Sequence, residues 1–293
     1  TSINLPRLAI ESNHDEKLFY QKLDKMLDLV ANQLLDRFEI QAAKRVYNFP
    51  FLMGQGVWLD SDKLGPNDEV REVLKHGTLS IGFIGLAETL TALYGHHHGE
   101  SDEMQQKGLQ IVKYMRDYCD RKSQEMKMNF TLLATPAEGL SGRFIRMDKK
   151  RYGNIPGVTD RDYYTNSFHI PVWFNISAYD KINKEAPYHA LTNAGHISYV
   201  ELDGDTSNNV EAFESVVRCM HDAGIGYGSG RPRPGLRLCR RHWRRLPALR
   251  QTRRRGDQPG EAGPAAQAVP GYPDLPRHQL IASTDAGERK TVN

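Results

Sequence analysis

The chain has 293 residues, enough for one large domain or two ordinary ones, and its 39 Lys+Arg nearly balance 36 Asp+Glu. Its three cysteines (Cys119, Cys219, Cys239) exclude a disulfide framework and fit a reducing, cytoplasmic setting. No stretch reads as a signal peptide or membrane span: the best apolar candidate, Ile81 to Tyr94, is short and carries Glu88.

The charge balance averages two unlike parts. Residues 1–229 hold 25 Lys+Arg and 31 Asp+Glu, a net −6, whereas residues 230–293 hold 14 and 5, a net +9. In the tail, 13 of the 14 cations are Arg, Pro and Gly are frequent, and no apolar period is sustained. A segment of that kind buries too little surface to offset its ordering entropy, so it is expected to be disordered.

In chain order, Ser2-Ile3-Asn4 reads as a short strand ending before Pro6. Lys17 to Ile40 is predicted as a helix on the stripe Phe19, Leu23, Met26, Leu27, Val30 and Leu34. Ser101 to Met126 is predicted as a second helix. Ser101 caps it, Asp102 and Glu103 occupy its first turn, and Leu109, Val112, Met115 and Cys119 form its stripe. Asn208 to Asp222 is predicted as a third, with Val210, Phe213, Val217 and Met220 inward and Gly224 ending it. Strand-like runs lie at Phe130–Ala134, Phe168–Phe174, His196–Leu202 and Ile225–Tyr227. Strands alternating with helices predict an α/β architecture.

The most informative stretch is Asn129 to Phe144, NFTLLATPAEGLSGRF. A short apolar run leads into Thr135-Pro136-Ala137-Glu138-Gly139, where Thr135 suits a helix N-cap and Pro136 a first turn. Strand, tight turn and helix start present free backbone N–H groups and the positive end of the helix dipole, which suit a phosphate. Taken alone, most such turns bind nothing, and Glu138 complements the dipole.

Several blocks in order carry a resemblance. SINLPRLAIE (2–11), NFPFLMGQGVWLDSDKL (48–64), VLKHGTLSIGFIGLAETL (73–90), ATPAEGLSGRF (134–144), IPGVTDRDYYTNSFHIPV (155–172), EAPYHALTNAGHISYVELDGD (185–205) and GIGYGS (224–229) resemble the anaerobic (class III) ribonucleoside triphosphate reductases, which are glycyl radical enzymes. The resemblance runs from Thr1 to Ser229. It implies the C-terminal half of a ten-stranded α/β barrel. The activity implied is reduction of ribonucleoside triphosphates to deoxyribonucleotides by thiyl-radical abstraction at C3′. It further implies a radical-SAM activase as partner, a homodimer in the intact protein, a structural zinc, and formate as reductant.

Residue by residue, the resemblance places Asn4 in the active site, holding a substrate hydroxyl. It places Glu138 against the ribose, where a carboxylate can exchange a proton with the 3′-hydroxyl. Thr135, Pro136, Ala137, Gly139 and Leu140 would form the phosphate-binding turn. The competing readings stay open: a strand end for Asn4 and a dipole complement for Glu138. A formate-lyase-like glycyl radical enzyme is a further alternative, and the nucleotide-type turn argues against it.

Other candidates read as structural. His96, His97 and His98 are consecutive, cannot share one face, and lack ligand spacing, so a loop or surface role is expected and no metal is assigned. His76, His169 and His196 stand near Gly-rich or aromatic runs, as core or cleft-lining histidines. Cys119 and Cys219 are expected to be buried structural thiols. Gly54, Gly56, Gly82 and Gly85 form no phosphate fingerprint and suit close packing.

The resemblance also requires a thiyl-forming Cys upstream of SINLPR and a glycyl radical in Arg-x-x-Gly-Tyr after a Cys-rich zinc segment. Gly271-Tyr272 follows Val269-Pro270 and does not match. The chain is therefore expected to be a fragment, inactive alone, that binds no cofactor itself. With permitted codons, Arg231 to Arg250 read one base out of frame can decode as DRDPVCGYAGVIGDACPPCG, which resembles the zinc segment in order and spacing, so residues 230–293 are expected to be frameshifted. The rival is a nucleic-acid-binding arm, because eleven Arg between Arg231 and Arg255 would meet phosphates.

Overall fold

The computed structural model describes residues 1–203 and 208–233. Most of the tail, and the expectations of disorder and nucleic-acid binding placed on it, lie outside these residues. Strand β1 (Ser2–Asn4), β2 (Thr78–Ile84) and β3 (Asn129–Ala134) form one parallel sheet in the order β1-β2-β3. Strands β4 (Ser198–Asp203) and β5 (Gly228–Arg233) form a second parallel pair. Residues 193–195, just ahead of β4 in the chain, pair with β3: Ala134 N–H donates to Gly195 O at 3.0 Å, Ala194 N–H to Leu132 O at 2.9 Å, and Leu133 pairs in parallel with Gly195. Five parallel strands among the described residues are half of the ten expected.

Each crossover is helical, as parallel pairing demands. Helix α1 (Leu5–Ile10), α2 (Glu16–Ala42) and the short α3 (Arg71–Leu74) lie between β1 and β2. Helices α4 (Leu86–Tyr94) and α5 (Asp102–Met126) lie between β2 and β3, α6 (Glu138–Tyr152) and α7 (Ala178–His189) between β3 and β4, and α8 (Val210–Ala223) between β4 and β5. The two long predicted helices are present with their caps. Asp15 accepts from Leu18 N–H at 3.0 Å, and Ser101 accepts from Met104 N–H at 3.2 Å.

One face of the first sheet is apolar and one is not. Ile3, Ile81, Phe83, Phe130, Leu132 and Ala134 pack with Phe19, Leu23 and Leu27 of α2 and Ile111, Val112 and Met115 of α5. The alternate residues are mostly small or polar, with Ile84 and Leu133 as the apolar exceptions. Ser80 bonds Thr131 through their side chains at 3.0 Å, and Ser2 bonds Thr135 at 2.9 Å. Period-2 alternation thus sends greasy residues to the helices and leaves a more polar face, with Ile84 and Leu133 on it, on the other side.

Several expectations need correction. Phe168–Phe174 is not a strand. Pro171 interrupts it, and only Asn166 nearby makes a bridge, to Ile84. The last strand lies at Gly228–Arg233 rather than Ile225–Tyr227 and runs past Ser229; Ile225 instead packs on the cluster of Ile182, Val200, Leu202 and Val216. Helix α8 has a second apolar stripe. Val216 is buried there, while Val210, Phe213 and Val217, expected inward, are exposed. Gly224 ends that helix in the left-handed region, as expected. The central strand β2 and helix α4 were not anticipated, because TLSIGFIGLAETLTALY is one continuous apolar run in which strand and helix are indistinguishable by period.

Candidate active site at the carboxyl edge of the sheet

Parallel α/β sheets bind ligands beyond the carboxyl ends of their strands. At that edge lie Asn4 at the end of β1, Gly85 after β2, and Thr135, Pro136 and Ala137 after β3. Each connection turns straight into a helix, so three helix starts face the same edge. Gly82 lets β1 and the turn after β3 meet: a Cβ there would stand 2.0 Å from Thr135 Oγ1 and 2.8 Å from Ser2 Oγ. Gly85 adopts φ 82°, and a Cβ on it would strike the Pro6 ring at 2.4 Å.

The turn after β3 differs in detail from the sequence expectation. The N-cap of α6 is Ala137, not Thr135, and no side chain caps it. Thr135 spends its hydroxyl on Ser2. Pro136 is exposed and precedes the helix rather than opening it, Ala137 is buried, and Glu138 is the first helical residue. The backbone N–H groups of Glu138, Gly139 and Leu140 therefore lie in a helical turn with no side-chain cap. Gly139 faces open space, with nothing within 4 Å of a Cβ placed on it. Leu140 anchors the turn against the cluster of Ile84, Ala137, Ile145, Val158 and Tyr164.

Asn4 is both strand end and helix cap. Its Oδ1 accepts from Arg7 N–H at 3.2 Å, and its Nδ2 donates to Asp148 Oδ2 at 2.7 Å. Asp148 is fully buried, and it also accepts from Tyr164 Oη at 3.0 Å and from Arg7 Nε and Nη2, each at 2.6 Å. Burial and the Asp148 carboxylate push the Tyr164 phenol far above its ordinary value, so it remains a donor. Sequence reasoning missed Asp148, Arg7 and Tyr164. The available signal was an acidic residue on the inward stripe Ser141, Ile145, Asp148 of α6.

A second buried carboxyl group holds the neighbouring residue. Glu88 Oε1 accepts from the backbone N–H and the hydroxyl of Thr165 at 2.8 and 2.7 Å, while its Oε2 has no partner. Burial raises its pKa despite these bonds. Asn166 Oδ1, one residue on, is also buried and unpartnered.

The histidines divide. The run at His96 to His98 is a loop, but only His96 is exposed, which corrects the surface expectation. His98 is fully buried, donates through Nε2 to Phe168 O at 2.7 Å, and is pushed down to about 3 chiefly by burial. His169 pairs with buried Glu185 at 3.4 Å; burial opposes the Glu185 charge, yet His169 and Lys181 hold it down to about 2. His76 is on the surface beside Asp60. His196 lies 4.1 Å from His189 with the rings tilted by 48°, beside a cavity of about 500 Å³ that Ala186, Ala190 and Ala223 also line. No Lys or Arg lines that cavity, so it offers no fixed positive charge to a triphosphate.

Cys119 is fully buried in α5 and pushed up to about 12 by burial; Cys219 is half-buried in α8. Among the described residues no group of three or more His, Cys, Asp or Glu could hold a metal ion, so these residues do not fit a structural zinc. Among them, too, no helix is long and apolar enough to cross a membrane.

The family model for anaerobic ribonucleoside-triphosphate reductase matches residues 1–246. The chain belongs to the anaerobic ribonucleoside-triphosphate reductase family. The reductase of Escherichia coli K12 is 37% identical over 234 residues, which cover 79% of this chain and 32% of that protein. The reductase of Enterobacteria phage T4 is 34% identical over 221 residues, covering 73% and 34%. The chain thus spans about a third of the length of the curated relatives it matches. The crystal structure of the Thermotoga maritima anaerobic ribonucleotide reductase with glycerol in the active site aligns with a TM-score of 0.59 at 18% identity, covering 78% of this chain and 34% of that one. That likeness shows the reductase fold, here as part of its α/β barrel.

Proposed function

We propose that this chain is the substrate-holding part of an anaerobic ribonucleoside triphosphate reductase, working in the cytoplasm. The observation that carries the reading is that Asn4 and the Thr135–Leu140 turn, which has no side-chain cap, lie at the same carboxyl edge of one parallel sheet, in a chain of this family. The backbone N–H groups of Glu138, Gly139 and Leu140 receive a phosphate oxygen at the positive end of α6. Gly139 lets the ligand approach the backbone closely. Asn4 retains one N–H and one oxygen lone pair for a ribose hydroxyl. Glu138 exchanges a proton with the 3′-hydroxyl as general acid and base. The radical-generating groups, the activase, formate and the dimer belong to the intact reductase, and this chain alone is expected to form no deoxynucleotide.

The test places residues 1–229 in the matching third of the Escherichia coli reductase. Deoxynucleotide formation from ribonucleoside triphosphates is then measured under anoxia with the activase. The chimera is expected to turn over, and Glu138→Gln to lower kcat by about a hundredfold or more. Asn4→Ala and Glu138→Gln variants that both match the parent would overturn the reading.

A further inference from the structure

We propose that Asp148 is a positioning residue that fixes which atoms of the Asn4 amide face the ligand. This rests on the reading of Asn4 as a hydroxyl-binding residue. The carboxylate is fully buried and collects three donors from two separate parts of the chain: Asn4 Nδ2 and the Arg7 guanidinium from the β1–α1 segment, and the Tyr164 hydroxyl. Arg7 alone would neutralise the charge. Nothing in a plain ion pair requires the amide of Asn4 to join it.

The consequence lies in the direction of the amide. Arg7 N–H needs an acceptor and takes Oδ1, whereas the Asp148 carboxylate needs a donor and takes Nδ2. Turning the amide over would set an oxygen against the carboxylate and an NH₂ against an N–H, losing both bonds. Asn4 is thus locked with one N–H and one lone pair unspent, each at a known end. A hydroxyl, which donates and accepts at once, matches that pair. Tyr164 ties the brace to the loop that Glu88 grips through Thr165, so the orientation is set by β1, α6 and the 164–165 segment together.

The experiment uses the full chain, labelled with nitrogen-15. Two quantities are read: solvent exchange of the Asn4 side-chain amide, identified by its loss in Asn4→Ser, and affinity for adenosine triphosphate against its 2′,3′-dideoxy analogue. The wild-type amide is expected to be protected, and the ribose form to bind about fivefold tighter. In Asp148→Asn, protection falls and the ribose preference disappears while affinity for the dideoxy form stays. Tyr164→Phe removes one donor and leaves Arg7 on Asp148. It is expected to shift both readouts part of the way, and it serves if Asp148→Asn does not fold. An Asn4 amide equally protected in both variants overturns the proposal, as does a ribose preference that survives loss of protection. A wild-type chain with a protected amide but no ribose preference overturns the hydroxyl-binding reading of Asn4, and the amide measurement still decides the brace.

Discussion

The hydroxyls of Ser2 and Thr135 are 2.9 Å apart and meet over Gly82, the residue of the central strand that lies between them. Strand β1 and the turn after β3 touch because the strand between them has no side chain at that point. Gly82→Ala is therefore expected to destabilise the protein by about 1–3 kcal/mol through overpacking. Adding Thr135→Ala, which removes the nearest atom, should restore part of that loss. Denaturant midpoints of the single and double variants check this; a Gly82→Ala midpoint equal to wild type would contradict the packing.

Glu88 makes stability fall as pH rises. Its folded pKa is raised by burial, so above the ordinary carboxylate value the unfolded chain has lost a proton that the native state keeps. In that window the slope of unfolding free energy against pH is negative. Glu88→Gln keeps the oxygen that accepts from Thr165 and replaces the unpartnered one with NH₂. The variant should gain stability over wild type at pH 8 and lose that advantage near pH 4. Urea unfolding across this range tests it, and a constant difference would count against a protonated Glu88.

Acid acts through the histidines in the opposite direction. His98 is held down to about 3 and His189 to about 4, both chiefly by burial. Below about 6.5 the unfolded chain takes up protons that the native state refuses, so stability falls with pH between about 6.5 and 4. His98→Gln should flatten that slope by up to one proton. A slope unchanged from wild type would mean that His98 is charged in the folded protein.

The legible parts of this fold were those whose pattern has one solution. Helices α2 and α5 carry long stripes and side-chain caps, and β3 is short, apolar and bounded. Helix α8 carries two apolar stripes, and only the sheet decides that Val216 rather than Val217 is buried. At the site, Asn4 and the Thr135–Leu140 turn were visible because they are contiguous motifs. Asp148 was not, since its partners Asn4, Arg7 and Tyr164 come from segments distant in sequence, and only folding brings them together.

The Arg-rich segment after Ser229 makes a prediction about the gene. If residues 230–293 are read out of frame, resequencing from the codon of Gly224 to the stop should show one frame change. That change should restore a Cys-rich run followed by Arg-x-x-Gly-Tyr. Independent clones that keep the frame as written would leave the basic tail a real product, to be tested for salt-dependent nucleic-acid binding.

The most direct test of a substrate-holding edge is a titration of the purified chain with a ribonucleoside triphosphate, followed at the backbone amides. Binding at the α6 start should move the amides of Glu138, Gly139 and Leu140 together with the side-chain amide of Asn4, and all should saturate at one concentration. A nucleotide that saturates the chain while those amides stay still, or that leaves every amide unmoved, would contradict the site.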